Sequence, residues 1–336
     1  MPIKTAVIGF GYWGPNLARN VFQSSSMKME VICDISQSRL DKAYKLHPSV
    51  KLTTDFNTVI DDKRIEAVFI ATPVNTHYEL AKKALLNGKH VLLEKPMTGS
   101  FKEARELVEI ANKMKKVLLV NHIFLYNGAI RKIKEIVDKK DLGDIKYIDS
   151  TRINLGMFQQ DINVLWDLAS HDIAIVNYLI EERPRYVQAI GKNHYHPDIE
   201  NIAFLILHYN SGLIAHFNCS WSSPVKIRQM LIGGLKKKIV FNDIEPSDKI
   251  KVYDSGMTFK TLKDKQKVLV DYRVGNITIP KFSIDEPLTL VIEDFTKAVR
   301  MNKKPLSDGK AGLEVVKILD LAQKSIKQNG KLMLYK

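Results

Sequence analysis

Over roughly the first third of the chain, short apolar runs alternate with stretches whose apolar residues recur at helical spacing. This is the pattern of strand–helix–strand units in a parallel sheet. The predicted strands are Thr5 to Gly9, Glu30 to Cys33, Ala67 to Ala71, His90 to Leu93 and Val117 to Asn121. Between them, Tyr78 to Asn87 places Leu80, Ala84 and Leu85 on one helical face and stops at Gly88, which suits a left-handed cap. Ser100 with Glu103 makes a capping box ahead of a helix through Met114. The rhythm changes after about residue 122. A helix over Ile130 to Val137, ending near Gly143, leads into strand-like runs at Ile145 to Ile153, Tyr186 to Ile190, Ile202 to His208, Leu213 to Ser220, Arg228 to Ile232 and Lys238 to Phe241. Short turns such as Asn210-Ser211-Gly212 join them, so a largely antiparallel sheet is expected. Two amphipathic helices, Leu288 to Arg300 and Gly312 to Lys327, close the chain.

The expected class is α/β. A doubly wound parallel sheet over residues 1–122 precedes an α+β domain over residues 123–336 with a large, mostly antiparallel open sheet. Length and composition agree: 336 residues with 45% apolar content suffice for two cores. No run approaches the roughly 20 apolar residues that span a bilayer. Ile3 to Phe10 meets glycines rather than a cleavage site, and Cys33 and Cys219 are isolated, without metal-ligand spacing. A cytoplasmic protein with reduced cysteines and no metal is expected. The net charge of +14 is spread along helices, and its tightest clusters, Lys115-Lys116 and Lys236-Lys237-Lys238, lack interleaved aromatics. Neither a nucleic-acid nor a membrane partner is expected.

Gly9-Phe10-Gly11-Tyr12-Trp13-Gly14 is a G-x-G-x-x-G run, weak alone but here directly behind the strand Thr5-Ala6-Val7-Ile8 and ahead of the helical stretch Asn16 to Phe22. In that context Gly9 permits a tight turn, Gly11 lets backbone approach a pyrophosphate, and Gly14 lets helix pack on sheet, with Tyr12 and Trp13 beside the cofactor. The helix N-terminus then faces phosphate. Asp34 ends the second strand twenty residues past Gly14, where a carboxylate takes the adenosine ribose hydroxyls and repels a 2′-phosphate. The combination predicts a Rossmann domain binding NAD rather than NADP. Taken alone, Asp34 also reads as a turn or helix-cap aspartate.

Three further segments fall at strand ends, where cofactor and substrate meet: Ala71-Thr72-Pro73 with His77, Glu94-Lys95-Pro96, and Asn121-His122. A desolvated Lys95 would hydrogen-bond a substrate hydroxyl and steady an alkoxide, and Glu94 would pair with ribose. The alternative is a plain surface Lys-Pro turn. In Trp166-Asp167-Leu168-Ala169-Ser170-His171-Asp172, a predicted helix, Asp167 and His171 share a face. Together they form a proton-handling pair or, equally, an ordinary surface contact.

These motifs together resemble the Gfo/Idh/MocA oxidoreductases over essentially the whole chain, including the ending Glu286-Pro287-Leu288 and Asp308-Gly309-Lys310-Ala311-Gly312. The resemblance implies that Lys95, Asp167 and His171 are catalytic and that a cis peptide precedes Pro96. It also implies that Thr72, Pro73, His77, Glu94, Lys95 and Pro96 line the cofactor. The second half would use its open sheet to form a homodimer or homotetramer. Leu125-Tyr126-Asn127-Gly128 departs from the family, many of whose members carry an arginine and a proline there. Gly11-Tyr12-Trp13-Gly14-Pro15-Asn16, Arg152-x-Asn154-Leu155-Gly156 and Phe158-Gln159-x-Asp161-x-Asn163 resemble members that oxidise UDP-N-acetylglucosamine-type sugars at the 3-hydroxyl for surface-polysaccharide or lipid A synthesis. His122, Arg152, Asn154 and Asn163 are then candidate substrate contacts, alongside Lys95, Asp167 and His171; Arg152, Asn154 and Asn163 read equally as structural sheet residues. The alternatives on the same fold are a ketosugar reductase, an inositol or free-sugar dehydrogenase, a redox-cycling glycosidase, or a non-catalytic dinucleotide sensor.

Overall fold

A computed structural model describes residues 1–156, 158–159, 161–258 and 271–336. The chain divides into two compact units, residues 1–126 with 285–317 and residues 127–284 with 318–336.

The first unit is a six-stranded parallel sheet in the order β3-β2-β1-β4-β5-β6. Its strands are β1 (Ile3–Ile8), β2 (Met27–Cys33), β3 (Lys51–Thr53), β4 (Ala67–Ile70), β5 (His90–Leu93) and β6 (Leu118–Val120). β4, at the middle of the sheet, is buried on both faces and is written as an unbroken apolar run, Ala67-Val68-Phe69-Ile70. Helices α1 (Gly14–Gln23), α2 (Gln37–Leu46), α3 (Phe56–Asp61), α4 (Val74–Leu86) and α5 (Phe101–Lys113) make the crossovers. The strand order reverses between β1 and β4. The turns leaving their C-terminal ends therefore frame a crevice, the usual ligand position in such sheets.

Residues 285–317 return to this unit rather than to the second. The reason is local packing by α8 (Pro287–Met301). Phe295 meets Phe69 edge-on at 5.2 Å, Asp294 accepts from the Tyr126 hydroxyl at 2.7 Å, and Glu286 accepts from Arg19 and Asn20.

The second unit opens with α6 (Gly128–Asp138), capped by the Asn127 side chain, and then builds a nine-stranded sheet. Its strands are β7 (Ile145–Leu155), β8 (Tyr186–Lys192), β9 (Ile202–His208), β10 (Ile214–Ser220), β11 (Ser222–Gly234), β12 (Lys238–Asn242), β13 (Ile250–Thr258), β14 (Asp271–Thr278) and β15 (Met333–Leu334). The order is β14-β13-β12-β11-β7-β10-β9-β8-β15, antiparallel except for β7 beside β10. Periodicity missed β13 and β14, and it shortened β11, whose first residues, Ser222-Ser223-Pro224, carry no apolar run. One face is buried, through Ile148, Leu205, Ala215 and Phe217, while Tyr147, Ile190, Phe204 and Ile214 stand exposed on the other. A five-residue π-wound turn, Leu165–Ala169, runs into α7 (Ser170–Leu179), and α9 (Gly309–Lys327) closes the helices.

Candidate active site

The glycine turn has the geometry its sequence promised. Gly9 takes φ +90°, and a Cβ there would lie 2.5 Å from the Ala71 carbonyl oxygen. A Cβ on Gly14 would run into the Gly9 carbonyl, so α1 packs directly on the turn. Its first turn has no side-chain cap and no acid; Pro15 carries no N–H and those of Asn16 and Leu17 donate to the Trp13 carbonyl, which leaves the Gly14 N–H and a positive dipole end for a phosphate. Tyr12 is solvent-exposed and meets Trp13 edge-on at 6.1 Å, on the outside of the turn. Asp34 is buried. Its Oδ2 accepts from Phe10 N–H at 2.7 Å and its Oδ1 from Ser36 N–H at 2.8 Å. Each oxygen keeps a lone pair for a ribose hydroxyl. Arg39, which sequence reading missed, reaches Asp34 at 3.5 Å and lies over Gly11; it sits in the first turn of α2, the helix that follows the acid. These residues fit a dinucleotide.

At the ends of β4, β5 and β6 the predicted residues gather within the first unit. Glu94 is fully enclosed and accepts a 2.6 Å hydrogen bond from Asn121 Nδ2. Burial raises its carboxyl to about 7, against the opposing pull of Asn121 and Lys95. His122 is also buried; desolvation, with a smaller push from the Lys95 charge, lowers it to about 3 and keeps it neutral. Both His122 ring nitrogens and Asn121 Oδ1 find no hydrogen-bond partner among the described residues. The Lys95–Pro96 peptide is cis. His77 lies inside α4 rather than in the preceding turn, with Nδ1 2.9 Å from the Pro96 carbonyl oxygen and Nε2 2.8 Å from that of Thr72. Its ring therefore braces the Thr72-Pro73 turn against the Lys95-Pro96 turn.

In the second unit Asp167 falls in the π-wound turn and His171 in the first turn of α7, so the pair is not set on the uniform helix expected. Asp167 Oδ2 accepts from the Trp221 indole N–H at 3.1 Å, a partner from across the sheet that no local pattern reveals. Of the two readings open for Arg152 and Asn163, substrate contact or structural residue, their contacts are those of the second. Arg152 lies on the buried face of β7 and grips Asp172 of α7, with Nη2 2.6 Å and Nε 3.0 Å from its carboxylate oxygens. Asn163 Oδ1 caps the turn by accepting from Leu165 and Trp166 N–H, while its Nδ2 donates to Glu200 at 2.7 Å and Gln323 at 2.5 Å. Both hold the helix that carries His171. Asn154 folds over Gly156 beside Trp221.

A fold with this cradle and these strand-end groups defines an NAD-linked oxidoreductase, and comparison with known proteins agrees. Residues 3–122 match the oxidoreductase family with an NAD-binding Rossmann fold, Gfo/Idh/MocA, and residues 130–240 match the Gfo/Idh/MocA C-terminal domain. The chain belongs to the Gfo/Idh/MocA family and is an NAD-dependent oxidoreductase. UDP-N-acetylglucosamine 3-dehydrogenase of Acidithiobacillus ferrooxidans is 25% identical over 94% of this chain and 94% of its own. The solved structure of that enzyme has a TM-score of 0.80 at 22% identity, covering 98% of this chain and 99% of the other. The scyllo-inositol 2-dehydrogenase (NAD(+)) of Bacillus subtilis is 24% identical over 90% of this chain and 88% of its own. An Agrobacterium radiobacter oxidoreductase solved with NAD+, L-tartaric acid and magnesium shares the fold, with a TM-score of 0.83 at 16% identity over 99% and 98% of the two chains. Among the described residues no helix is long and apolar enough to cross a membrane.

Proposed function

We propose that the protein oxidises a secondary hydroxyl of a sugar to a ketone, and that the substrate is a UDP-N-acetylglucosamine-type nucleotide sugar oxidised at its 3-hydroxyl. The observation that carries the reading is the head of α7, where an aspartate fixed by an indole N–H stands one turn before a histidine, in a chain whose other unit binds NAD. End-to-end similarity to a UDP-N-acetylglucosamine 3-dehydrogenase favours that substrate.

Bound NAD+ supplies the hydride acceptor. The His171 imidazole takes the hydroxyl proton onto a ring nitrogen, and the Asp167 carboxylate favours the resulting imidazolium. Lys95 Nζ donates hydrogen bonds to the same oxygen as negative charge grows on it. Asp34 accepts from adenosine ribose hydroxyls, and Gly11, Tyr12 and Trp13 border the pyrophosphate. Glu94 and His122 offer their polar atoms to hydroxyls of ribose or sugar. The exposed face bearing Tyr147, Ile190, Phe204 and Ile214 suits a second copy of the chain, and light scattering should report a dimer or tetramer.

Following NADH formation against UDP-sugars and free polyols tests the assignment. UDP-N-acetylglucosamine or a close relative should react, and inositol should not. Reaction with inositol alone would replace the substrate, and NADPH-dependent reduction of a ketosugar would reverse the direction.

A further inference from the structure

Because β7 runs parallel to β10, and both β8 and β10 run antiparallel to β9, the C-terminal ends of β7, β8 and β10 share one edge of the sheet. Backbone hydrogen bonds continue across the loops that leave them. Gly156 N–H donates to Trp221 O, Trp221 N–H to Asn201 O, and Asn201 N–H to Lys192 O, each at 3.0 Å. Three aromatic rings gather on this edge. Trp221 binds Asp167, Phe158 meets Trp221 with centroids 5.6 Å apart at 65°, and Tyr195 meets Phe158 at 5.2 Å and 74°. Exposure climbs outward along this ladder, from 1% at Trp221 to 44% at Phe158 and 71% at Tyr195. The outermost ring is nonetheless braced. Buried Asn201 accepts from His194 N–H at 2.7 Å and donates to Ser222 Oγ at 2.7 Å, pinning the loop that carries Tyr195.

We infer that Phe158 and Tyr195 are specificity-determining residues that stack the nucleobase of the substrate. The inference rests on the nucleotide-sugar reading above. With the reacting carbinol at Asp167 and His171, the group two ring steps farther out is the far end of the substrate. In a nucleotide sugar that end is a flat π system joined through a diphosphate. Standing at 74° to each other, Phe158 and Tyr195 offer a flat base one ring to stack on and the other to meet edge-on. A loop braced beforehand loses less freedom when the base arrives.

Calorimetric titration of the full chain with UDP tests this. Wild type should bind UDP at least about tenfold more tightly than pyrophosphate, because the base is held as well as the phosphates. Tyr195→Ala and Phe158→Ala should each weaken UDP about tenfold. Tyr195→Phe should restore binding, since stacking needs the ring and not the hydroxyl, and KM for the UDP-sugar should follow the same order. Undiminished UDP binding in both alanine variants overturns the platform, as does a wild type that prefers UDP no more than pyrophosphate. If UDP-sugars are still oxidised in that case, the nucleotide-sugar reading survives alone. If UDP does not bind and UDP-sugars do not react, both fall.

Discussion

The candidate sites of the two units commit their polar groups in opposite ways. In the first, the proposed dinucleotide cradle is mostly backbone: a glycine turn, a helix N-terminus without a side-chain cap, and a carboxylate that two N–H groups hold in place. In the second, side chains hold side chains across long sequence distances: Trp221 on Asp167, Arg152 on Asp172, and Asn163 between Glu200 and Gln323. A backbone site can be written in six consecutive residues. A side-chain site on a sheet edge is scattered over as many loops as there are strands.

The comparison breaks most visibly if chemistry and cofactor binding fail to separate. Lys95→Ala and His171→Ala should each lower kcat by about a thousandfold, the usual scale for losing an oxyanion donor or a general base. The NAD+ Kd, read by calorimetry, should move by no more than about threefold. A Lys95 variant with wild-type turnover contradicts the assignment.

The next effect is on stability. Asp172→Ala strands a buried guanidinium and should cost about 3–5 kcal/mol in denaturant unfolding. Were Arg152 a substrate ligand, its loss would raise KM with little effect on unfolding.

Glu94 gives a pH signature of about 3 kcal/mol. Its folded value of about 7 lies above the ordinary 4.5, so the folded protein keeps a proton that the unfolded chain releases. The contribution is complete below about pH 4.5 and is lost as pH rises to about 7. Glu94→Gln preserves an acceptor for Asn121 and should remove that slope, and equal slopes in the two proteins would refute it. The smallest effect is at the adenosine end, where Asp34→Asn should weaken NAD+ about tenfold through one less charged acceptor.

Legibility in the sequence followed the same divide. In the first unit, five of the six strands, Gly9 to Gly14, and Asp34 just past β2 could be read because each rests on neighbours in the chain; the three-residue β3 and the short or weakly apolar α3 and α2 gave no periodic signal and were missed. His77 was visible but misplaced: the periodic signal began at Tyr78, while the helix starts at Val74 behind Pro73, which turns the ring onto two carbonyls. Arg152 and Asn163 entered through the motifs of the family resemblance, and such a motif does not tell a buried ion pair or a helix cap from a ligand contact. Strand alternation would have put Arg152 in phase with buried Ile148 and Ser150. Trp221 and Tyr195 had no local signal, and Phe158 stood out only as the first residue of a run resembling nucleotide-sugar dehydrogenases, since the meeting of the three depends on which strand ends share an edge. The departure at Leu125-Tyr126-Asn127-Gly128 is structural: Tyr126 binds Asp294, Asn127 caps α6, and a Cβ on Gly128 would strike the Ser283 carbonyl.

The most direct measurement uses UDP-N-acetylglucosamine carrying deuterium at C3, mixed with NAD+ and the enzyme, and follows the label by mass spectrometry. The account predicts one deuterium in the reduced nicotinamide per ketone formed. Reduced nicotinamide without the label, or none at all, would contradict it.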